Sequence, residues 1–201
     1  MIVDYGMGNI HSVRRKVRQF GAECVVSSSP EAVLKAEKLI LPGVGYFGQA
    51  MKNLHDSGLV EALNEAVLHR TTPVLGICLG MQLMAGHSEE GDADGLGWFD
   101  GTVIRFRIED TLRFKVPHMG WNQIRIKKQS RILSGIPDNS EFYFVHRYHY
   151  RANQGAEVLT ETDYSGLFAS AIERENICGV QFHPEKSHDA GTLLLRNFIE
   201  S

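Results

Sequence analysis

The sequence predicts an α/β fold. It should have three layers, a mostly parallel central sheet flanked by helices, and additional antiparallel strands in the C-terminal half. Up to Gly86, short apolar runs alternate with amphipathic segments, the pattern of parallel strands joined by crossover helices. Beyond Gly86 the runs become rich in aromatic and β-branched residues separated by turns, which is antiparallel grammar. The length of 201 residues suits one domain spanning 1–201, large enough to bury a sizeable core.

Taken in order, Ile2, Val3 and Asp4 end a first strand, and a helix over 12–20 is stopped by Gly21. A second strand follows at 24–26. Ser29 then offers its hydroxyl as an N-cap ahead of Pro30, whose missing N–H costs nothing in a first turn. Residues 38–41 form a third strand. Helices over 48–56 and 59–69 are separated by Gly58, and 73–77 reads as a buried central strand leading into a helix over 81–85. Strands are expected at 101–107, 121–126, 141–150, 157–162, 168–173 and 177–182. Residues 190–200 return to helical spacing, with Leu193, Leu194, Phe198 and Ile199 able to dock on the sheet.

Lys and Arg total 21 against 24 Asp and Glu, a net charge of −3, so there is no cationic field for a nucleic acid backbone. No apolar run approaches the ~20 residues of a bilayer span, and no basic region with a cleavage site follows Met1, so a cytoplasmic protein without a membrane partner is expected. Cys24, Cys78 and Cys178 are an odd set in a chain too large to need staples, and reduced thiols are expected.

The sharpest local signal is Gly76-Ile77-Cys78-Leu79-Gly80, at a strand end where a helix begins. Flanking glycines permit the tight turn that exposes a nucleophile, and the following N–H of Leu79 points where an oxyanion would form. The helix start would also favour the thiolate. The plain alternative is a buried cysteine among packing glycines. Far along the chain, Gly179-Val180-Gln181-Phe182-His183-Pro184-Glu185 places an imidazole and a carboxylate just past another strand end, the base and orienter that a thiol nucleophile needs. Cys24 and Cys178, by contrast, fall in predicted strands as inert packing.

A second loop, Gly43-Val44-Gly45-Tyr46-Phe47-Gly48, matches G-x-G-x-x-G between a strand and a helix. One reading is a dinucleotide fingerprint, with Glu61 or Glu65 near the ribose, which would make the chain a nucleotide-binding oxidoreductase. The other is a loop whose peptide N–H groups face an oxyanion, favoured by the neighbouring thiol and imidazole. Glu90, Asp92 and Asp94 resemble a calcium loop, yet its closing carboxylate would fall on Gly101. His146 and His149 could suggest zinc, but lack further ligands, and one continuous strand would send them to opposite faces. No metal and no cofactor is expected.

These motifs resemble the class I (triad) glutamine amidotransferases, and among them the glutaminase subunits of imidazole glycerol phosphate synthases. The class is carried by 76–82, by Pro42-Gly43-Val44-Gly45 and by 179–187. The narrower likeness is carried by Pro117-His118-Met119-Gly120-Trp121-Asn122, by Tyr143-Phe144-Val145-His146, by Lys186-Ser187 and by the opening Asp4-Tyr5-Gly6-Met7-Gly8-Asn9. The resemblance implies Cys78 as nucleophile, His183 as general acid and base, Glu185 as its orienter, and Val44 and Leu79 as oxyanion donors. It implies that Gly45, Gln82, Glu90, Arg147 and Tyr148 hold glutamine, and that Asn9, Met119, Trp121, Tyr143 and Lys186 face a partner, a (β/α)8-barrel cyclase subunit that receives the ammonia. A related barrel enzyme of sugar or polysaccharide modification is the alternative acceptor. Arg147 stands where the family has a small hydroxyl residue, so the glutamine site is expected to differ there. Family members also begin a few residues earlier, and a weak edge or a clipped start is expected at the first strand.

Overall fold

A computed structural model describes residues 1–201. Its central sheet has eight strands in the order β2-β1-β3-β4-β14-β13-β12-β9. The parallel half comprises β1 (Ile2–Val3), β2 (Val26–Ser27), β3 (Leu39–Gly43) and β4 (Val74–Cys78), joined by β14 (Ile177–Val180). Beyond β14 the sheet turns antiparallel through β13 (Leu167–Arg174), β12 (Val158–Asp163) and β9 (Arg125–Ile126). A four-stranded sheet ordered β11-β7-β5-β6 is built from β5 (Ala85–Ser88), β6 (Ala93–Asp94), β7 (Phe99–Arg105) and β11 (Tyr148–Ala152). A ribbon of β8 (His118–Gln123) and β10 (Glu141–His146) completes the strands.

Strand alternation explains the layers, because successive side chains leave a strand on opposite faces. Val3, Leu39, Leu41 and Val74 enter one core with Phe47, Leu54, Leu59, Trp98 and Tyr150. Ile2, Ile40, Leu75 and Ile77 enter the other with Val13, Val17, Phe142, Phe182, Leu194 and Phe198. The first core therefore lies under α2 (Pro30–Leu34), α3 (Phe47–Asp56) and α4 (Leu59–Asn64), the second under α1 (Ile10–Arg18) and α6 (His188–Glu200). The buried strands read as nearly continuous apolar runs because both their faces are covered. Ser29 caps α2 through its hydroxyl, as its position ahead of Pro30 predicts.

Several boundaries differ from expectation. The short β1 is an interior strand between β2 and β3, with Ile2 and Val3 fully buried, and the weak edge is β2 instead. The second strand falls at Val26–Ser27, which leaves Cys24 half-buried outside it. The helix expected over 81–85 is α5 (Leu79–Gln82), and Ala85 already opens β5. Residues 121–126 divide between β8 in the ribbon and β9 in the main sheet. Residues 141–150 divide at Arg147, with β10 in the ribbon and β11 in the four-stranded sheet, because each half finds a different antiparallel partner. That break also brings His146 and His149 to the same ring of Phe106, at 5.2 and 4.6 Å between centroids, rather than to opposite faces. None of the helices is long and apolar enough to cross a membrane.

Candidate active site

Three adjacent parallel strands end together, and their carboxyl ends are where an open α/β sheet leaves room for a ligand. Gly43 at the end of β3 lies beside Cys78 at the end of β4, and Val180 at the end of β14 lies beside Ile77. The loop 42–45, the cysteine and the segment 181–185 are thereby drawn to one place.

Cys78 has φ 54° and ψ −108°, a strained backbone for a residue with a side chain, of the kind that costs about 1–3 kcal/mol and persists only when its surroundings dictate it. Its surroundings are close. A Cβ on Gly76 would lie 2.7 Å from the Gly80 carbonyl oxygen, and one on Gly80 would lie 1.8 Å from that of Leu41. Only glycine on both sides lets the turn between β4 and α5 fold this tightly.

His183 and Glu185 are almost wholly enclosed, each side chain 1% exposed, with Nδ1 of the imidazole 2.9 Å from the Glu185 carboxylate. That bond places the proton on Nδ1 and leaves Nε2 as the basic nitrogen. Nε2 has no oxygen or nitrogen partner. Burial is the largest single influence on the ring and lowers its pKa. The nearby Cys78, through its charge above all, and the hydrogen bond and charge of Glu185 together outweigh it and raise the value to about 10. The segment is fastened to β10, since the His183 N–H donates to the Tyr143 carbonyl at 2.8 Å and the Ser187 hydroxyl donates to the His183 carbonyl at 2.6 Å. Cys78 Sγ lies 3.9 Å from the Val145 carbonyl and 3.7 Å from the Gln181 amide nitrogen. Gln181 carried no assigned role in the sequence; only the structure shows that its amide, just past β14, is fully buried beside Cys78.

A cleft of about 330 Å³ opens at Cys78 and is lined by Val44, Gly45, Leu79, Gln82, Glu90, Val145, Arg147 and Tyr148, with Pro117 and His146. Every residue the resemblance assigns to glutamine or to the oxyanion therefore lines one cavity. Larger surface clefts lie elsewhere, around Lys128 and Arg131, but contain none of this chemistry. The loop 42–45 is held from beneath: the Tyr5 hydroxyl donates to the Pro42 carbonyl at 2.7 Å, and Gly45 takes φ +117° with Met7 Cε pressed against it. Gln82 donates to the Tyr148 carbonyl at 2.8 Å and to Gln181 Oε1 at 3.0 Å. The Glu90 carboxylate accepts from the Phe47 N–H at 2.9 Å; burial pushes its pKa up, while that hydrogen bond and the Arg147 charge oppose the rise.

The Phe47 bond bears on the dinucleotide reading. The N–H at the start of α3, which a pyrophosphate would need, is already taken by a carboxylate that would repel it. A Cβ on Gly43 would meet Leu79 Cβ at 2.7 Å, so the glycine serves contact with the elbow rather than approach of a ligand. Asp92 and Asp94 pair with His87 at 3.3 and 3.1 Å on the surface. Cys178 is buried against the Glu173 carboxylate and Cys24 is half-buried; burial pushes both thiols up, away from the reactive thiolate.

Outside the cleft, Met119 and Trp121 are 61% and 45% exposed on β8. Trp121 stacks on His188, rings 2° from parallel at 4.8 Å, and meets the edge of Tyr143, whose face lies 5.6 Å from Lys186 Nζ. His188, unassigned in the sequence, thus belongs to an exposed aromatic and cationic patch. Asn9 sits half-buried ahead of α1 in a separate cleft with Asp4, His11 and Arg14.

A cysteine on a strained elbow near a buried histidine that pairs with a carboxylate, in this sheet, is the arrangement expected of an amidohydrolase. The family Glutamine amidotransferase class-I matches residues 1–201, and the chain belongs to it. Within that family it is 44% identical to imidazole glycerol phosphate synthase subunit HisH 2 of Methanococcus maripaludis, covering 99% of this chain and 98% of that one. It is 46% identical to the protein of the same name in Pseudomonas aeruginosa, over 100% and 98% of the two chains. Among solved structures, a glutamine amidotransferase shares the fold at TM-score 0.75 and 17% identity, covering 99% of this chain and 96% of that one. Another, from Thermotoga maritima, does so at 0.66 and 15%, covering 100% and 94%.

Proposed function

We propose that this chain is the glutaminase subunit of an imidazole glycerol phosphate synthase, hydrolysing glutamine and passing the ammonia to a (β/α)8-barrel cyclase subunit in histidine biosynthesis. The observation that carries the reading is the convergence of Cys78 and the five glutamine-site residues on one cleft, with the His183–Glu185 pair enclosed behind the nucleophile.

In this reading Cys78 Sγ attacks the side-chain carboxamide carbon of glutamine, and the charge that develops on oxygen is met by the peptide N–H groups of Val44 and Leu79. One such donor is worth about 2.7–4 kcal/mol of transition-state stabilisation. His183, which has taken the Cys78 thiol proton on Nε2 as Sγ attacks, gives that proton to the departing nitrogen, the C–N bond breaks, and ammonia leaves a glutamyl thioester. Water then adds to the thioester as His183 takes its proton, the C–S bond breaks, and glutamate and the thiolate are released. Glu90 suits the substrate ammonium, lining the same cleft as Arg147 and Tyr148. Ammonia set free in neutral water becomes ammonium, which is no nucleophile, so the exposed patch of Met119, Trp121, Tyr143 and Lys186, with Asn9, serves to seal the chain against its acceptor subunit.

A glutamine-mimicking chloroketone tests the site. Stoichiometric labelling of Cys78, prevented by glutamine, is the expected result; tight binding of NAD with no labelling would overturn it. Expression in a histidine auxotroph lacking this subunit tests the acceptor. Growth without histidine is expected, whereas failure together with intact labelling would point to a sugar-modifying partner.

A further inference from the structure

From the cleft wall inward, two buried histidines that the reaction does not use stand in series. His146 at the end of β10 and His118 at the start of β8 are opposite residues of the ribbon, with His118 Nδ1 3.0 Å from His146 Nε2. On the cleft side, His146 Nδ1 is 2.8 Å from the Tyr148 carbonyl, which also accepts from Gln82. On the outer side, His118 Nε2 is 3.3 Å from the Asn122 amide nitrogen, which also donates to the Asp163 carbonyl at 3.0 Å.

The direction of every proton in this chain is forced. A carbonyl only accepts, so His146 carries its proton on Nδ1. Its Nε2 is then an acceptor, His118 must donate from Nδ1, and His118 Nε2 accepts from Asn122. Protonating either imidazole would set two N–H groups face to face. The environment opposes that event. Burial is the main influence on both rings, holding His146 well below its usual range and His118 at about 4. The titratable groups that act on His146 are His118 on β8, His149 on β11 and His183, none of them a carboxylate that would retain a proton. Tyr164 and Phe144 stack on the His118 ring at 3.9 and 4.8 Å.

We propose that the His118–His146 pair is a positioning unit for the glutamine cleft: two neutral imidazoles of fixed tautomer that hold the Tyr148 carbonyl, and through it Gln82, in register with strand β8. The hydrogen bonds continue from Gln82 to Gln181 and from Gln181 to Cys78 Sγ, so one uninterrupted chain joins β8 to the nucleophile. Strand β8 also carries the exposed Met119 and Trp121, so the unit lies between the patch and the cleft. The pair acts through its hydrogen bond to the Tyr148 carbonyl, which Gln82 shares. This rests on the glutaminase reading.

The test has two arms. Imidazole nitrogen NMR of the full chain from pH 5 to 8 should find both rings neutral with the proton on Nδ1. A ring protonated on Nε2, or an imidazolium in that range, overturns the proposal without reference to activity. Kinetics with the acceptor subunit present supply the second arm. His118→Phe keeps the aromatic stacking but removes the donor to His146, and should raise KM for glutamine about tenfold with kcat within twofold, because ground state and transition state lose the same wall. His118→Gln, which restores an N–H, should recover most of that loss. An unchanged KM in folded His118→Phe overturns the proposal. If that variant does not fold, Asn122→Ala replaces it, with a KM rise of two- to fivefold expected and an unchanged KM overturning. Absence of chloroketone labelling at Cys78 in the unmodified protein would instead condemn the glutaminase reading and leave the NMR arm to decide the pair.

Discussion

Gly80→Ala puts two opposing effects on one residue. Alanine is the better helix former by about 1 kcal/mol, and Gly80 lies within α5, so propensity alone predicts stabilisation. The added Cβ, however, would lie 1.8 Å from the Leu41 carbonyl oxygen, where at least about 3.0 Å is needed. That oxygen belongs to β3, an interior strand held between β1 and β4, and cannot swing aside as a flexible side chain would. Opening the gap by about 1.2 Å disrupts packing at a typical cost of about 1–3 kcal/mol, so the clash outweighs or cancels the helical gain. The catalytic consequence is larger, because a 1 Å misplacement near reacting groups can lower rate about 10²-fold. Calorimetry should find no rise in Tm and a fall of up to about 8 °C, from a net cost of up to about 2 kcal/mol at roughly 2–4 °C per kcal/mol for a chain of this size. Glutaminase kcat should fall about 10²-fold, and chloroketone labelling of Cys78 should slow in parallel. A variant with undiminished Tm and undiminished kcat would refute the argument that this contact sets the elbow.

Other perturbations separate the parts of the site. Cys78→Ser should abolish synthesis from glutamine while sparing synthesis from ammonium salts. Although burial lowers the His183 pKa, Cys78 is the largest influence raising it, so in this variant an NMR titration should find the value well below 10. Since the native value lies above the usual 6.5, the His183 contribution to stability is full below that pH and fades as pH rises towards 10; in Cys78→Ser it should be smaller and be exhausted at lower pH. Glu90→Gln keeps an acceptor for the Phe47 N–H but loses the charge that meets the substrate ammonium, so KM should rise roughly 10- to 150-fold with little change in Tm. Arg147→Ser removes a charge that opposes the rise of the Glu90 pKa, and the acid limb of kcat/KM should move to higher pH. Trp121→Ala should weaken binding to the acceptor by about 30-fold or more, measured by calorimetry, and leave Tm unaltered, since the ring is 45% exposed.

The elements that were legible in the sequence are those whose own side chains dictate them. The parallel strands were visible as apolar runs between helices, and the elbow because Gly76 and Gly80 flank a cysteine with no disulfide partner to find. His183 and Glu185 were visible because they follow a strand within two residues of each other. What escaped was the fate of 141–150. As a sequence it is one unbroken β-rich run, and nothing local says that β8 claims its first half and β7 its second. The helix at 81–85 was shifted for a related reason, since the close approach to Leu41 starts the turn at Leu79.

The sequence by itself determined the fold class and the family, and it singled out Cys78, His183 and Glu185, because each is written in short motifs with their own stereochemistry. Tertiary structure alone decided the rest. It made Gln181, inconspicuous in the chain, a neighbour of Cys78, and it added His188 to the exposed patch beside Trp121. The break at Arg147 turned His146 inward against His118, joining residues whose spacing suggested nothing. Hydrogen bonds between distant strands depend on register and burial, and these are settled by which strands pair.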